Sequence, residues 1–165
     1  AEEETPGVFR CYDMTKVLQK VREAKERADI VIAYIHWGTE YSETLETAQT
    51  EGAKALVDAG ADVVLGAHPH CLQGMEFYEG KPILYSLGNY WFNEKTLDTV
   101  LVKLHFYGND EEQHTEVQLL PARQEQHVTR LLTDEQEVSD WRSHMESMEP
   151  GTVQIDEKGI ISNAD

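Results

Sequence analysis

The chain has 165 residues, 40% of them hydrophobic and 27% charged, a length and balance suited to one globular core. Its formal net charge of −17, of which −10 falls in residues 109–165, excludes a binder of nucleic-acid backbone, which needs clustered Lys and Arg. No apolar run approaches the ~20 residues that cross a bilayer, and Cys11 and Cys71 are too few for a disulfide framework, reading instead as small, mostly buried side chains.

In chain order, the opening AEEETPG lacks an initiating Met and reads as the start of a fragment, a processed product or an excised domain, with any leader or anchor upstream. Asp13 is placed to cap a helix ending near Ala28, with Met14, Val17, Leu18, Val21, Ala24 and Ala28 on one face. The apolar run 30–35 predicts a buried strand that stops at His36, followed by a loop to about Thr44. A second helix uses Leu45, Ala48, Ala53, Leu56 and Val57 and is closed by Gly60; a second strand, 63–65, leads into Gly66-Ala67-His68-Pro69-His70. Apolar runs separated by helical patterns predict parallel β-α units, and in such sheets ligands gather at the carboxyl ends of the strands.

The period then changes. Residues 75–78 and 83–86 flank Glu79-Gly80-Lys81-Pro82 as a β-hairpin, and 99–107 alternates as a half-buried strand. Gly108-Asn109-Asp110 turns the chain and 116–120 returns antiparallel. Thr133-Asp134-Glu135-Gln136 matches a capping box for a helix presenting Val138, Trp141, Met145 and Met148. Residues 152–155 and 159–161 form a small closing hairpin. The fold class is therefore α/β, with parallel β-α units followed by antiparallel hairpins.

Three histidines lie at two strand ends. In extended geometry His68 and His70, at i and i+2, point to one side, and Pro69 stiffens their spacing. Gly66 lets the backbone approach closely. With His36 on the neighbouring strand they make a metal-site hypothesis, since imidazole is a common ligand. Glu40, Tyr41 and Gln73 are candidates for substrate contact or, equally, loop residues bonding backbone and water. Ser86-Leu87-Gly88 is not a nucleophile elbow; Gly88 instead predicts a positive-φ turn that sets the Asn89 amide at the site. Tyr90, Trp91 and Phe92 read as core or a pocket wall. His105, His114, His127 and His144 receive no role.

On IHWGTEY (35–41), AGADVVLGAHPHCLQG (59–74) and YSLGNYWF (85–92), the sequence resembles the CapA-type poly-γ-glutamate capsule synthesis proteins, a branch of the calcineurin-like metallophosphoesterases. The resemblance implies part of a four-layer α-β-β-α sandwich with a di-metal site for Mn, Zn or Fe. By that match His36 and His68 bind one ion and His70 the other; Glu40, Tyr41, Gln73 and Asn89, close to them in the sequence, are the candidates for substrate contact. The superfamily's earlier Asp-x-His, Gly-Asp and Gly-Asn-His blocks do not occur in these 165 residues. Residues 1–165 are thus expected to be the C-terminal part of a single domain, supplying imidazoles alone, binding metal weakly and inactive without the N-terminal half. The resemblance further implies an extracytoplasmic, membrane-anchored full-length protein, with membrane polymer-synthase subunits as partners. The divided sheets predict self-association of the fragment. In a second reading the fold is a non-catalytic assembly module, contacting membrane partners through Tyr41, Gln73, Tyr90 and Trp91.

Overall fold

A computed structural model of the protein describes residues 6–11, 13–92, 94–109 and 113–164. Helix α1 spans Met14–Lys25, capped by the Asp13 carboxylate, which accepts from the Thr15 N–H at 3.1 Å. It stops three residues short of the expected end. Lys25 there sends its ammonium to the Asp29 carbonyl and to Asp62, and the chain turns into the sheet. Strand β1 is Ile32–His36, α2 is Thr47–Asp58 and β2 is Val63–Ala67. Gly60, at φ +111°, ends α2: its N–H and that of Ala61 reach back to the Val57 and Leu56 carbonyls.

The expected parallel pair is present, with Ile32 opposite Val63 and His36 opposite Ala67. The hairpin is β3 (Met75–Tyr78) and β4 (Lys81–Leu84), and its turn is only Glu79-Gly80, both with positive φ. Lys81 and Pro82 therefore belong to the strand. The hairpin joins the first sheet, because β4 pairs parallel with β2 and gives the order β1-β2-β4-β3.

The second sheet contains β5 (Leu97–Gly108), β6 (Gln113–Glu125) and β7 (Val128–Leu131), all antiparallel. The expected return strand 116–120 is the middle of a strand more than twice that length, and β7 was not anticipated. It follows a tight turn at Gln126-His127 in which both residues take positive φ, a conformation their side chains do not announce. Of the predicted turn 108–110, Gly108 and Asn109 are described, and Asp110 lies outside the described residues. Helix α3 spans Glu135–Ser147, with Asp134 rather than Thr133 as its cap: the Asp134 carboxylate accepts from the Gln136 and Glu137 N–H groups. The closing hairpin pairs β8 (Val153–Ile155) with β9 (Ile161–Asn163).

The first sheet is packed on both faces. Val17 and Val21 of α1 and Ala53, Leu56 and Val57 of α2 meet Ala33, Ile35, Val64 and Ile83. Leu72, Met75 and Leu84 meet Val117 and Leu119 of β6, Trp141 and Met145 of α3, and the β8–β9 hairpin. Burying a side chain such as Leu56 in this way contributes about 1.5–3 kcal/mol. Strand β1 is the exception to the expected two-sided burial. It is an edge strand, and its Ile32 and Tyr34 are 45% and 65% exposed while Ala33 and Ile35 are buried.

Candidate metal centre

Both parallel strands deliver their carboxyl ends to one place. His36 closes β1, and the segment after β2 carries His68 and His70. The His36 and His68 ring centroids are 4.5 Å apart, and those of His68 and His70 5.9 Å. The proximity expected of His68 and His70 is present, but not by extended geometry. Both take positive φ, 104° and 60°, so the chain bends sharply through Pro69. Left-handed backbone at a non-glycine residue costs of order 1–3 kcal/mol and persists where surrounding contacts enforce it. Gly66 has no room for a Cβ, which would stand 1.9 Å from the Tyr85 carbonyl oxygen and 2.5 Å from Trp37 Nε1. The indole of Trp37 donates to that same carbonyl at 3.0 Å.

Glu40 reaches the histidines from the loop after β1. One ligand atom each from Glu40, His68 and His70 lies within 4.8 Å of the others. The sequence allows the site imidazoles alone, with Glu40 either toward the substrate or a loop residue bonding backbone and water; the structure brings a carboxylate to them. Two turns of the chain do this, at Gly38 (φ +81°) and Tyr41 (φ +59°), and the Tyr41 N–H donates to the Pro69 carbonyl at 2.6 Å. A glycine announces the first turn in the sequence; nothing announces the second.

His70 is held on two sides. Phe92 stacks on it with centroids 4.2 Å apart, and its Nδ1 lies 2.8 Å from Asn89 Oδ1. With the amide oxygen as acceptor, Nδ1 carries the proton and Nε2 keeps its lone pair for a metal. Asn89 is buried, follows the positive-φ turn expected at Gly88, and leaves Nδ2 without a hydrogen-bond partner among the described residues. Partial desolvation, and next the nearby His68 and His70, hold the His36 imidazole below its ordinary pKa, which favours the neutral, ligating form. Two imidazoles and a carboxylate within reach of one point, with a third imidazole beside them, are a donor set that fits Mn, Fe or Zn.

The other predicted residues separate. Tyr41 stands at the rim, its ring 5.7 Å from His70 and under the Lys95 ammonium. Gln73 faces inward: it is 1% exposed, and its amide is bonded to Ser42, Thr44 and Gln49. Tyr90 and Trp91 are not core, being 63% and 65% exposed; Phe92 alone of the three forms a wall, against His70. Cys11 and Cys71 are half-buried free thiols.

The bacterial capsule synthesis protein family PGA_cap matches residues 1–94, which span β1, β2 and every residue of the centre. The chain is 42% identical over 112 residues to the PGA biosynthesis protein CapA of Bacillus subtilis and 39% identical over 115 residues to the capsule biosynthesis protein CapA of Bacillus anthracis, each alignment covering 66% of this chain. A probable polyglutamine synthesis accessory protein of Mycobacterium tuberculosis is 34% identical over 95 residues, or 54% of the chain. The matched segments span 29%, 28% and 25% of those relatives, less than a third of their length.

Proposed function

Because the chain belongs to the bacterial capsule synthesis protein family, we propose that residues 1–165 are the C-terminal part of a CapA-like domain acting in poly-γ-glutamate capsule synthesis or export. The domain is of the calcineurin-like sandwich type, and its metal centre is completed by an N-terminal half. The observation that carries this reading is the convergence of Glu40, His68 and His70 on one point. In the reading, these three hold one divalent ion and His36, beside His68, faces a second. Such ions supply Lewis-acid chemistry on phosphoryl oxygens and a reactive hydroxide at neutral pH. The chain's own residues set the stage: Asn89 fixes the tautomer of His70, Phe92 fixes its ring plane, and Tyr41 forms the rim a substrate passes. The open edge and face of β1, with Ile32 and Tyr34, receive the N-terminal half, and without it two copies associate there. The full-length protein is membrane-anchored and faces outward; among the described residues no helix is long and apolar enough to cross a membrane.

Calorimetric titration of this chain with Mn²⁺ and Zn²⁺, beside its His68→Ala/His70→Ala variant, tests the reading. Binding that vanishes in the variant, followed by phosphoesterase activity of the completed domain, supports it. Equal binding by both chains sinks the metal centre.

The exposed Tyr90 and Trp91 favour a second reading, an assembly module that docks on membrane polymer-synthase subunits. Replacing both by Ala in the full-length protein would then abolish capsule formation while metal binding is retained. Normal capsule in that variant would remove the module reading.

A further inference from the structure

Two glutamines with no exposed surface to speak of lie under the centre. Gln49 on α2 and Gln73 after the His68–His70 segment are each 1% exposed. Their amides form a directed chain. The Glu46 N–H donates to Gln49 Oε1 at 3.1 Å, and Gln49 Nε2 donates to Gln73 Oε1 at 2.9 Å. Gln73 Nε2 donates in turn to the Ser42 carbonyl at 2.9 Å and the Thr44 carbonyl at 3.4 Å. Ser42 and Thr44 are two and four residues beyond Glu40. Gln73 is three residues beyond His70, and its own N–H is fixed to the Ser86 carbonyl. One side chain therefore ties the loop that carries Glu40 to the segment that carries the imidazoles. Gln49 also packs at Gly38, where a Cβ would stand 2.9 Å from its Nε2, so the same pair braces the turn that aims Glu40.

We infer that Gln73, oriented by Gln49, is a positioning residue that sets the separation between the Glu40 carboxylate and the His68–His70 pair. The inference rests on the metal reading above. Its chemistry is specific to an amide. A carboxylate in place of Gln73 would turn oxygen lone pairs toward two carbonyl oxygens, and a methionine of similar volume would remove the Gln73 donor from the Ser42 and Thr44 carbonyls and the acceptor from the buried Gln49 amide. Groups that hold a metal ligand in place typically change affinity 10–100-fold when replaced.

The test compares the chain with its Gln73→Met, Gln73→Glu, Glu40→Gln and Glu40→Gln/Gln73→Met variants, reading Mn²⁺ and Zn²⁺ affinity and amide hydrogen exchange without metal. The expected result is a loss of ~10–100-fold in affinity for both Gln73 variants. Faster exchange should be confined to residues 39–46, and the double variant should bind no more weakly than Glu40→Gln alone. Gln49→Met, which leaves the Gln73 bonds to the loop in place, should give a smaller loss and serves if Gln73→Met does not fold. Unchanged affinity and exchange overturn the inference, as do losses that add in the double variant, since Gln73 then acts elsewhere than through Glu40. A wild-type chain that binds neither ion overturns the metal reading, and the exchange comparison then decides by itself whether Gln73 clamps the loop.

Discussion

The Trp37 indole lies across Gly66 and donates to the Tyr85 carbonyl beside it, so that strand β2 can pass only where it carries no side chain. Gly66→Ala would press a methyl group against the backbone oxygen of Tyr85, just past β4, rather than against a flexible side chain. We expect a loss of about 3 kcal/mol or more in urea unfolding, the upper range for overpacking a core. Gly80→Ala, with nothing near its Cβ, should cost less, from its positive φ alone. Equal losses for the two would remove the packing argument.

Asn89 is the support of His70 that the centre can least spare. Asn89→Ala frees the ring to rotate and removes the acceptor that keeps the proton on Nδ1. We expect Zn²⁺ affinity to fall ~10–100-fold with little change in fold, by circular dichroism. Affinity unchanged in Asn89→Ala would mean that His70 is oriented by Phe92 alone.

Asp62 gives the fold a pH dependence at the opposite end of the sheet. Its carboxylate is buried, accepts from the Val31 N–H at 2.9 Å and meets Lys25 and Lys81 at 2.7 and 3.0 Å. Burial pushes its pKa up, but the Lys25, Val31 and Lys81 contacts together outweigh burial and hold it below the ordinary carboxylate value. With a lowered folded pKa, the unfolded chain takes up the proton first as acid is added. The stabilisation is complete above the ordinary value of ~4 and is lost as pH falls through the folded one. Asp62→Asn should cost about 2 kcal/mol at neutral pH and flatten the acid limb of stability against pH, measured by urea unfolding. An acid limb as steep in the variant would assign it to other carboxylates.

Cys71 follows His70 directly, yet is poorly suited to nucleophilic chemistry. Burial, then the nearby Glu43, pushes its thiol up to about 11. Because the thiolate is the reactive form, iodoacetamide should label Cys71 far more slowly in the native chain at pH 8 than in urea, by mass spectrometry of its peptide. Glu43→Gln should speed it modestly. Rapid native labelling would contradict the burial.

Local signals in the sequence determined most of the elements, with β7 and the full length of β6 as exceptions. Asp13 caps α1 because its carboxylate reaches two residues forward, and Gly60 ends α2 because it alone tolerates the required φ; both are near-neighbour effects that any tertiary setting preserves. The apolar runs likewise predict β1 and β2 as a parallel pair, which sets His36 beside the segment that carries His68 and His70. Tertiary structure decided what lay between distant segments. The β3–β4 hairpin joined the first sheet because β2 offered an unpaired edge, and Ile32 and Tyr34 stayed exposed because the second sheet does not extend over β1. Glu40 came to His68 and His70 through the turns at Gly38 and Tyr41, the second held by the Pro69 carbonyl, and Gln73 turned inward because its amide bonds Gln49 and the Ser42 and Thr44 carbonyls. The last two outcomes depend on hydrogen bonds across 28 or more residues, and a spacing read along the chain carries no record of them.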